Sequence, residues 1–248
     1  MTNVLKYAAD IYVSRISLIL LFSISFVIAF LIPSFATFPT YNDLGGIFVR
    51  TASVFANLTP FNTAIIVMAL VFSLLFLSFA IVAINVIVKH SRTHTKIRAE
   101  VMRGLEMYTG RVFLLLLFCT AVIAFVNIAT YSTGYSGIFT AVISLVLSPL
   151  ILFGSASIVI DENKIFRAIK SSAIFFTKRI DYSLLAIAVT IALLTFFDFI
   201  FDAAGGTSAT GVVVATYAML IFSSLFILPF IIVLESEMYV KRFPLLKH

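Results

Sequence analysis

Six long apolar stretches, separated by short polar segments, dominate the pattern of the chain. A membrane-spanning helix needs about 20 mostly apolar residues, and each stretch is long enough. The stretches cover residues 16–38, 61–88, 112–131, 137–160, 182–201 and 212–234. They are too long and too uniformly apolar for barrel strands, which alternate over about 10 residues. The pattern therefore predicts six transmembrane helices.

Basic residues fall in alternate polar segments. Sixteen of the 17 lysines and arginines lie before the first stretch, between the second and third, between the fourth and fifth, or after the sixth. Arg50 alone lies on the opposite side. Because cytoplasmic segments of membrane proteins carry an excess of Lys and Arg, we expect a multi-pass protein of the cell (plasma) membrane with both termini in the cytoplasm.

Three of the basic segments carry apolar stripes at helical spacing, which predict amphipathic cytoplasmic helices. The stripes consist of Ile97, Val101, Leu105, Tyr108 and Val112; of Ile165, Ile169, Ala173, Phe176 and Ile180; and of Leu5, Ala9, Tyr12 and Ile16. We expect these helices to lie in the membrane interface with the stripe toward the acyl chains. Packing of the stripes on the ends of the membrane helices is the alternative.

Each stripe ends in the same short motif: an aromatic residue, two further residues, an arginine and a β-branched aliphatic residue. The arginines are Arg15, Arg111 and Arg179. The motif predicts three copies of one unit, an amphipathic helix followed by a membrane hairpin, over about residues 1–88, 89–160 and 161–240 of a single membrane domain. Independent use of tyrosine and arginine as membrane anchors is the alternative explanation.

Composition supports a membrane protein. Of the 248 residues 62% are hydrophobic and 11% are charged, and the mean hydropathy is +1.15. A soluble domain could not cover so much apolar surface with so few charges. The net charge of +6 therefore indicates anionic membrane lipid as the partner rather than nucleic acid. A membrane protein partner or a second copy of the chain is a further candidate.

The candidate binding residues are the motif arginines and the polar residues of the spans. Arg15, Arg111 and Arg179 occupy equivalent places and would suit lipid phosphates. Ionisable residues inside spans are functional candidates by default, and Asp198 with Asn127 forms the candidate intramembrane polar site.

Two glutamates mark the end of the sixth stretch. Glu235 and Glu237 lie beside Lys241 and Arg242. We expect these carboxylates to pair with basic residues of the cytoplasmic helices.

The sequence offers no catalytic, metal or cofactor motif. His90, His94 and His248 are the only histidines, and all lie in predicted cytoplasmic segments. This argues against haem ligation and histidine proton relays within the membrane. His90 and His94 are four residues apart, but no third ligand is evident. The single Cys119 allows no internal disulfide, and we expect no cofactor.

Part of the chain resembles a known family. The stretches concerned are 148–150, 160–163, 165–172 and 228–230. They are similar to the membrane domain found beside some bacterial glycerophosphodiester phosphodiesterases and in related uncharacterised prokaryotic six-span proteins. In those, a span with a proline leads into an acidic turn and an amphipathic helix. The resemblance covers residues 148–242 and implies a fold; no phosphodiesterase barrel is present, so it implies no catalytic residue.

Together these features predict an all-α polytopic integral membrane protein of six transmembrane helices, built as three hairpin repeats with amphipathic cytoplasmic helices. The expected function is that of a non-enzymatic membrane module: a scaffold, an accessory subunit or a lipid-engaging protein. The alternative is a small transporter or channel with its polar site near Asp198, because repeats commonly frame a central pathway.

Overall fold

The computed structural model describes residues 2–42, 60–91, 97–130, 136–206 and 208–241. Every regular element within these ranges is helical. The helices are α1 (Thr2–Ser14), α2 (Ile16–Asn42), α3 (Pro60–His90), α4 (Ile97–Thr130), α5 (Ser136–Ile160), α6 (Ile165–Lys178), α7 (Ile180–Gly205), α8 (Ala209–Phe222) and α9 (Leu228–Val240), and a π-helical turn (Ser223–Ile227) joins the last two. The predicted all-α class is confirmed.

Five of the helical stretches are long and apolar enough to cross a membrane. They are Ala64–His90, Ile97–Thr130, Gly137–Ile160, Ile180–Gly205 and Thr210–Val240. A sixth is obtained if α1 and α2, which meet at an angle of 88°, count as one bent span. This agrees with a multi-pass membrane protein and with the positions of the predicted apolar stretches.

The π-helical turn ends at Ile227, two residues before Pro229. A proline has no N–H to donate to the preceding turn, and its ring crowds the carbonyl four residues earlier. The wider π-helical turn accommodates this defect without ending the span. The effect of Pro229 is therefore a local change of helix type, and the helix continues to Val240.

Two of the motif arginines lie between helices, and the third lies inside a helix. Arg15 separates α1 from α2, and Arg179 separates α6 from α7. At both junctions the arginine N–H donates to the carbonyl four positions earlier, and the arginine carbonyl accepts from the N–H groups three and four positions later, at 2.9–3.2 Å. Arg111 instead lies inside α4, whose 34 residues correspond to about 51 Å at 1.5 Å per residue.

The core of one end of the bundle is formed by three helix ends. Every residue from 80 to 88 in α3, from 153 to 159 in α5 and from 233 to 239 in α9 is buried, and these three helices pack against one another pairwise. We call this end, which carries Lys89, Asp161 and Tyr239, the polar end. Helix α1 packs on α9, α4 packs on α3 and α6 packs on α5.

The three predicted apolar stripes differ in how far their residues are buried against the protein. All five stripe residues of α4, from Ile97 to Val112, are buried, which favours packing on the bundle for this segment. In α6 the buried residues are Ala168, Ser172 and Phe175, so the face against the protein lies mostly one position before the predicted stripe. In α1 the buried positions 4 and 8 show the same offset.

Helices α7 and α8 form a hairpin with a largely exposed surface. Only 6% of the apolar 18-residue segment of α7 is buried. The two helices approach closely near their connection, where a Cβ on Gly211 would lie 2.0 Å from the carbonyl oxygen of Gly205. Aromatic rings of Phe197, Phe201 and Phe222 pack between them. The two helices of the hairpin therefore pack on each other, and many of their outward side chains are exposed.

We predict that Gly104→Leu destabilises the protein and Gly110→Leu does not. A Cβ on Gly104 would lie 2.6 Å from Cγ2 of the buried Val86, whereas a Cβ on Gly110, in the same helix, meets no atom within 4 Å. Overpacking costs about 1–3 kcal/mol, which lowers the melting temperature of a chain of this size by roughly 2–12 °C. Thermal unfolding in detergent measures both; equal melting temperatures would contradict the close α3–α4 contact.

Candidate functional site

The turn between α5 and α6 is held by a lysine from another helix. Lys89, at the end of α3, donates from Nζ to the carbonyl of Val159 at 3.0 Å and to Oε1 of Glu162 at 2.9 Å. The last carbonyls of a helix have no partner within it, so Lys89 caps α5. The contact ties the second and fourth predicted spans together at the polar end.

Glu162 adopts a backbone conformation that favours glycine. Its φ is 58°, in the left-handed region, where a residue with a side chain is disfavoured. The carbonyl of Glu162 accepts from Nη1 of Arg111 at 3.4 Å. The side chain thus supplies an ion pair that a glycine at this tight turn would lack.

Its neighbours hold Glu162 in the charged form. Hydrogen bonds from Lys89 and then Tyr108, together with the charge of Lys89, lower the pKa of Glu162 below its ordinary value of 4.5. Hydrogen bonds and positive charges near a carboxylate favour its ionised state. The glutamate side chain remains more than half exposed, so its contribution to stability is that of a surface pair.

A second set of hydrogen bonds joins α5, α6 and α9. The hydroxyl of Tyr239 donates to Oδ2 of Asp161 at 2.6 Å and lies 3.0 Å from the hydroxyl of Ser171. Nδ2 of Asn163 donates to Oγ of Ser157 at 3.0 Å. Tyr239 is fully buried, so these bonds satisfy a polar group that burial would otherwise penalise.

Polar side chains continue from this network into the buried helix ends. Ser236 of α9 donates to Oδ1 of Asn85 of α3 at 2.7 Å, and Nδ2 of Asn85 donates to the carbonyl of Ile81 at 2.8 Å. Asn85 lies within the second predicted span. Its role is to connect two helix ends, which is the ordinary use of a buried amide between membrane helices.

Glu235 and Glu237 are both buried, with exposed fractions of 3% and 0%. Oε1 of Glu235 has no hydrogen-bond partner among the described residues. The sequence places both glutamates at the membrane boundary among lysines and arginines, but α9 instead carries them into the packed centre of the polar end. Both glutamates lie at the end of α9, the most buried helix. The periodicity of apolar residues in the sequence does not reveal this burial.

Two cavities open at the polar end. One, of about 480 Å³, lies along α6 and is bordered by Arg167, Lys170, Lys178 and Arg179, with Ser171, Ile174 and Phe175 beneath them. The other, of about 220 Å³, lies between α3, α4 and the α5–α6 turn. Lys89 and Glu162, which line this second cavity, already form an ion pair with each other. The α6 cavity is therefore the one whose border carries only positive charge.

The candidate lipid contacts lie at two helix junctions and within one helix. Arg15 and Arg179 are exposed, and Arg111 is half-buried. The guanidinium groups of Arg111 and Arg179 lie 5.9 and 5.7 Å from the ring centroids of Tyr108 and Tyr182, respectively. Arg111 thus lies over the tyrosine of its own motif, whereas Arg179 lies over Tyr182, three residues after it. Arg179 also borders the α6 cavity.

The structure does not bring the candidate intramembrane polar residues together. Asp198 is exposed on α7, and Asn127 is half-buried on α4. Helices α4 and α7 are not among the substantially packed pairs. A third cavity, of about 430 Å³, lies at the α7–α8 connection and is bordered by other residues of that hairpin.

The described residues contain no group of three or more His, Cys, Asp or Glu side chains able to hold a metal ion. Nε2 of His90 lies 4.0 Å from Oε2 of Glu100. His94 falls outside the described ranges. The chemistry that this end offers is hydrogen bonding and positive charge.

Comparisons with protein-family models, curated proteins and solved structures find no match to this chain. The resemblance to the membrane domain beside glycerophosphodiester phosphodiesterases stays a prediction.

Loss of the Glu162 carboxylate should reduce stability in a pH-dependent way. Because the folded-state pKa is lowered, the carboxylate stabilises the fold fully above the ordinary glutamate pKa, and this contribution disappears as pH falls through the lowered value. Glu162→Gln should therefore lower the melting temperature at pH 7, by an amount equivalent to at most about 1 kcal/mol, and the gap should close on acidification. Glu162→Gly, which relieves the left-handed backbone, is the control and should be less destabilised; a pH-independent gap would contradict the ion pair.

Removing one buried hydroxyl should loosen the polar end. Tyr239→Phe retains the ring but deprives the half-buried Asp161 of its 2.6 Å hydrogen bond, and a typical hydrogen bond contributes about 0.5–1.5 kcal/mol. We expect a clear drop in melting temperature in detergent. Tyr7→Phe removes an exposed hydroxyl from α1 and should have no effect. Equal behaviour of the two variants would show that the Tyr239 network does not stabilise the fold.

Proposed function

We propose that this chain is a non-enzymatic integral membrane module whose polar end engages anionic lipid, as a scaffold or accessory protein. In this proposal the polar end faces the cytoplasm and the protein resides in the plasma membrane. The asymmetric distribution of lysine and arginine along the sequence supports that orientation.

One observation carries the proposal. The centre of the polar end is occupied by mutually hydrogen-bonded side chains such as Asp161, Tyr239 and Asn85, while the motif residues Arg15 and Arg179 remain exposed at its periphery. Arginine is well suited to phosphate because its planar guanidinium forms paired hydrogen bonds. Exposed arginines at the boundary between amphipathic and apolar helix lie where lipid headgroups would be.

We further propose that the bundle consists of three copies of one unit. Four positions before the motif aromatic, each unit has a small buried residue: Ala8, Gly104 or Ser172. Gly104 faces Val86, and Ser172 faces Gly154; both partners in the second pair stand 68 positions after those in the first. Small residues allow helices to approach closely, so the same contact recurs at the same repeat distance.

Placement of Asp198 favours the module over the transporter. Asp198 is exposed on a helix with little buried surface, and none of the three cavities described above is bordered by Asp198 or Asn127. Coupled transport needs a polar site that both sides reach in turn, at the interface between repeats. The exposed faces of α7 and α8 suit lipid, a membrane protein partner or a second copy.

The arginine proposal predicts a loss of anionic-lipid binding. In the full chain purified in detergent, the combined change Arg15→Gln, Arg111→Gln and Arg179→Gln should weaken phosphatidylglycerol binding about tenfold or more, since each cation near an anionic surface contributes about 1 kcal/mol. Native mass spectrometry with phosphatidylglycerol and phosphatidylcholine measures the effect.

The matched control replaces the same three arginines with lysine, which keeps the charge and should retain most binding. Unchanged binding in the glutamine variant would count against the arginines as lipid contacts. Cation flux through proteoliposomes that Asp198→Asn abolishes would contradict a non-transporting module.

A further inference from the structure

The cavity along α6 has a positively charged border. Arg167, Lys170, Lys178 and Arg179 border it, and its described lining contains no acidic side chain. All four cations are exposed. Its volume of about 480 Å³ is within the range of sites that hold small organic groups. We call it the α6 groove.

The floor of the α6 groove is fixed from beneath. The Ser171 hydroxyl lies 3.0 Å from the hydroxyl of Tyr239. The ring of Phe175 packs between those of Phe153 and Tyr239, with centroid distances of 4.6 and 5.5 Å. Side chains held in this way do not have to be ordered when a ligand binds, which reduces the entropic cost of binding.

Apolar side chains stand beside the cations on the same exposed surface. Phe166 is 88% exposed, Ile180 is 53% exposed, and Ile174, within the groove, is 43% exposed. A helix that presents both basic and large apolar side chains outward is typical of the membrane interface, where apolar groups enter the acyl region and cations reach the headgroups. A site for a soluble anion alone would have no use for the apolar residues.

We infer that the α6 groove binds the phosphate of an anionic phospholipid headgroup. This inference rests on the proposed lipid-engaging function and names one of its sites. The guanidinium of Arg167 and the ammonium groups of Lys170 and Lys178 surround the phosphate. Ile174 lies against the first carbons of the lipid. The second cavity, between α3, α4 and the α5–α6 turn, is less suited to an anion, because Glu162 already neutralises Lys89 there.

The test compares two triple variants of the full chain in detergent. The groove variant carries Arg167→Gln, Lys170→Gln and Lys178→Gln; Arg179 is left in place because it belongs to the wider arginine proposal. The control variant carries Lys6→Gln, Arg98→Gln and Arg103→Gln, which removes the same charge from exposed positions of α1 and α4. Phosphatidylglycerol, phosphatidylcholine and inorganic phosphate are each titrated by native mass spectrometry and by melting temperature.

We expect the groove variant to bind phosphatidylglycerol about tenfold more weakly than the parent, and the control variant to lose less than about threefold, since only cations close to the phosphate act strongly. Equal losses in both variants would overturn the groove while leaving the wider lipid proposal in place. Absence of any preference of the parent for phosphatidylglycerol over phosphatidylcholine would overturn both.

The phosphate arm separates the two sources of the ligand. If millimolar inorganic phosphate displaces phosphatidylglycerol from the parent and raises its melting temperature as much as the lipid does, the groove is a free-anion site and the inference fails. If the groove variant does not fold, the double variant Lys170→Gln and Lys178→Gln takes its place, with Lys6→Gln and Arg98→Gln as its control, and the same comparison decides.

Discussion

The fold depends on completing the hydrogen bonds of three helix ends that are buried from all sides. The last turns of α3, α5 and α9 meet at the polar end, where residues 80–88, 153–159 and 233–239 are buried. A buried helix terminus leaves carbonyl groups that need partners. Lys89 supplies one such partner across a helix boundary, and the Tyr239–Asp161 and Ser236–Asn85 pairs connect the remaining helix ends. Each of these bonds joins residues far apart in sequence, so the end of the bundle forms as a unit.

Positive charge lies mostly on the outside of the polar end. Lys89 and Arg111 are half-buried, whereas Lys6 of α1, Arg98 and Arg103 of α4, and the cations of α6 are exposed. The small residues at positions 8, 104 and 172 bring these helices close to the bundle, so their basic faces remain near the level at which the apolar helices begin. In the proposed function, structural and lipid-engaging roles therefore belong to different faces of the same helices.

The sequence predicts the spans well because apolar length and charge asymmetry are properties of whole segments. It predicts the buried faces of α1 and α6 less well. An apolar stripe shows which side of a helix avoids water, but lipid and protein satisfy that requirement equally, and the small Ser172 rather than the larger Ile169 faces the bundle at the most buried positions. Burial of Glu235 and Glu237 likewise depends on neighbours from α1, α3 and α5, which no local pattern specifies.

Helix α4 differs from α1 and α6 because it continues without interruption into its apolar part. The chain bends by 88° at Arg15, between α1 and α2. The non-helical backbone of Arg179 likewise interrupts the chain between α6 and α7. Helix α4 has no such interruption. A membrane helix that meets a thinner bilayer responds by tilting. Because α4 is continuous from Ile97 to Thr130, a change in its tilt would also move its first turns and Arg111, which contacts the carbonyl of Glu162 in the α5–α6 turn.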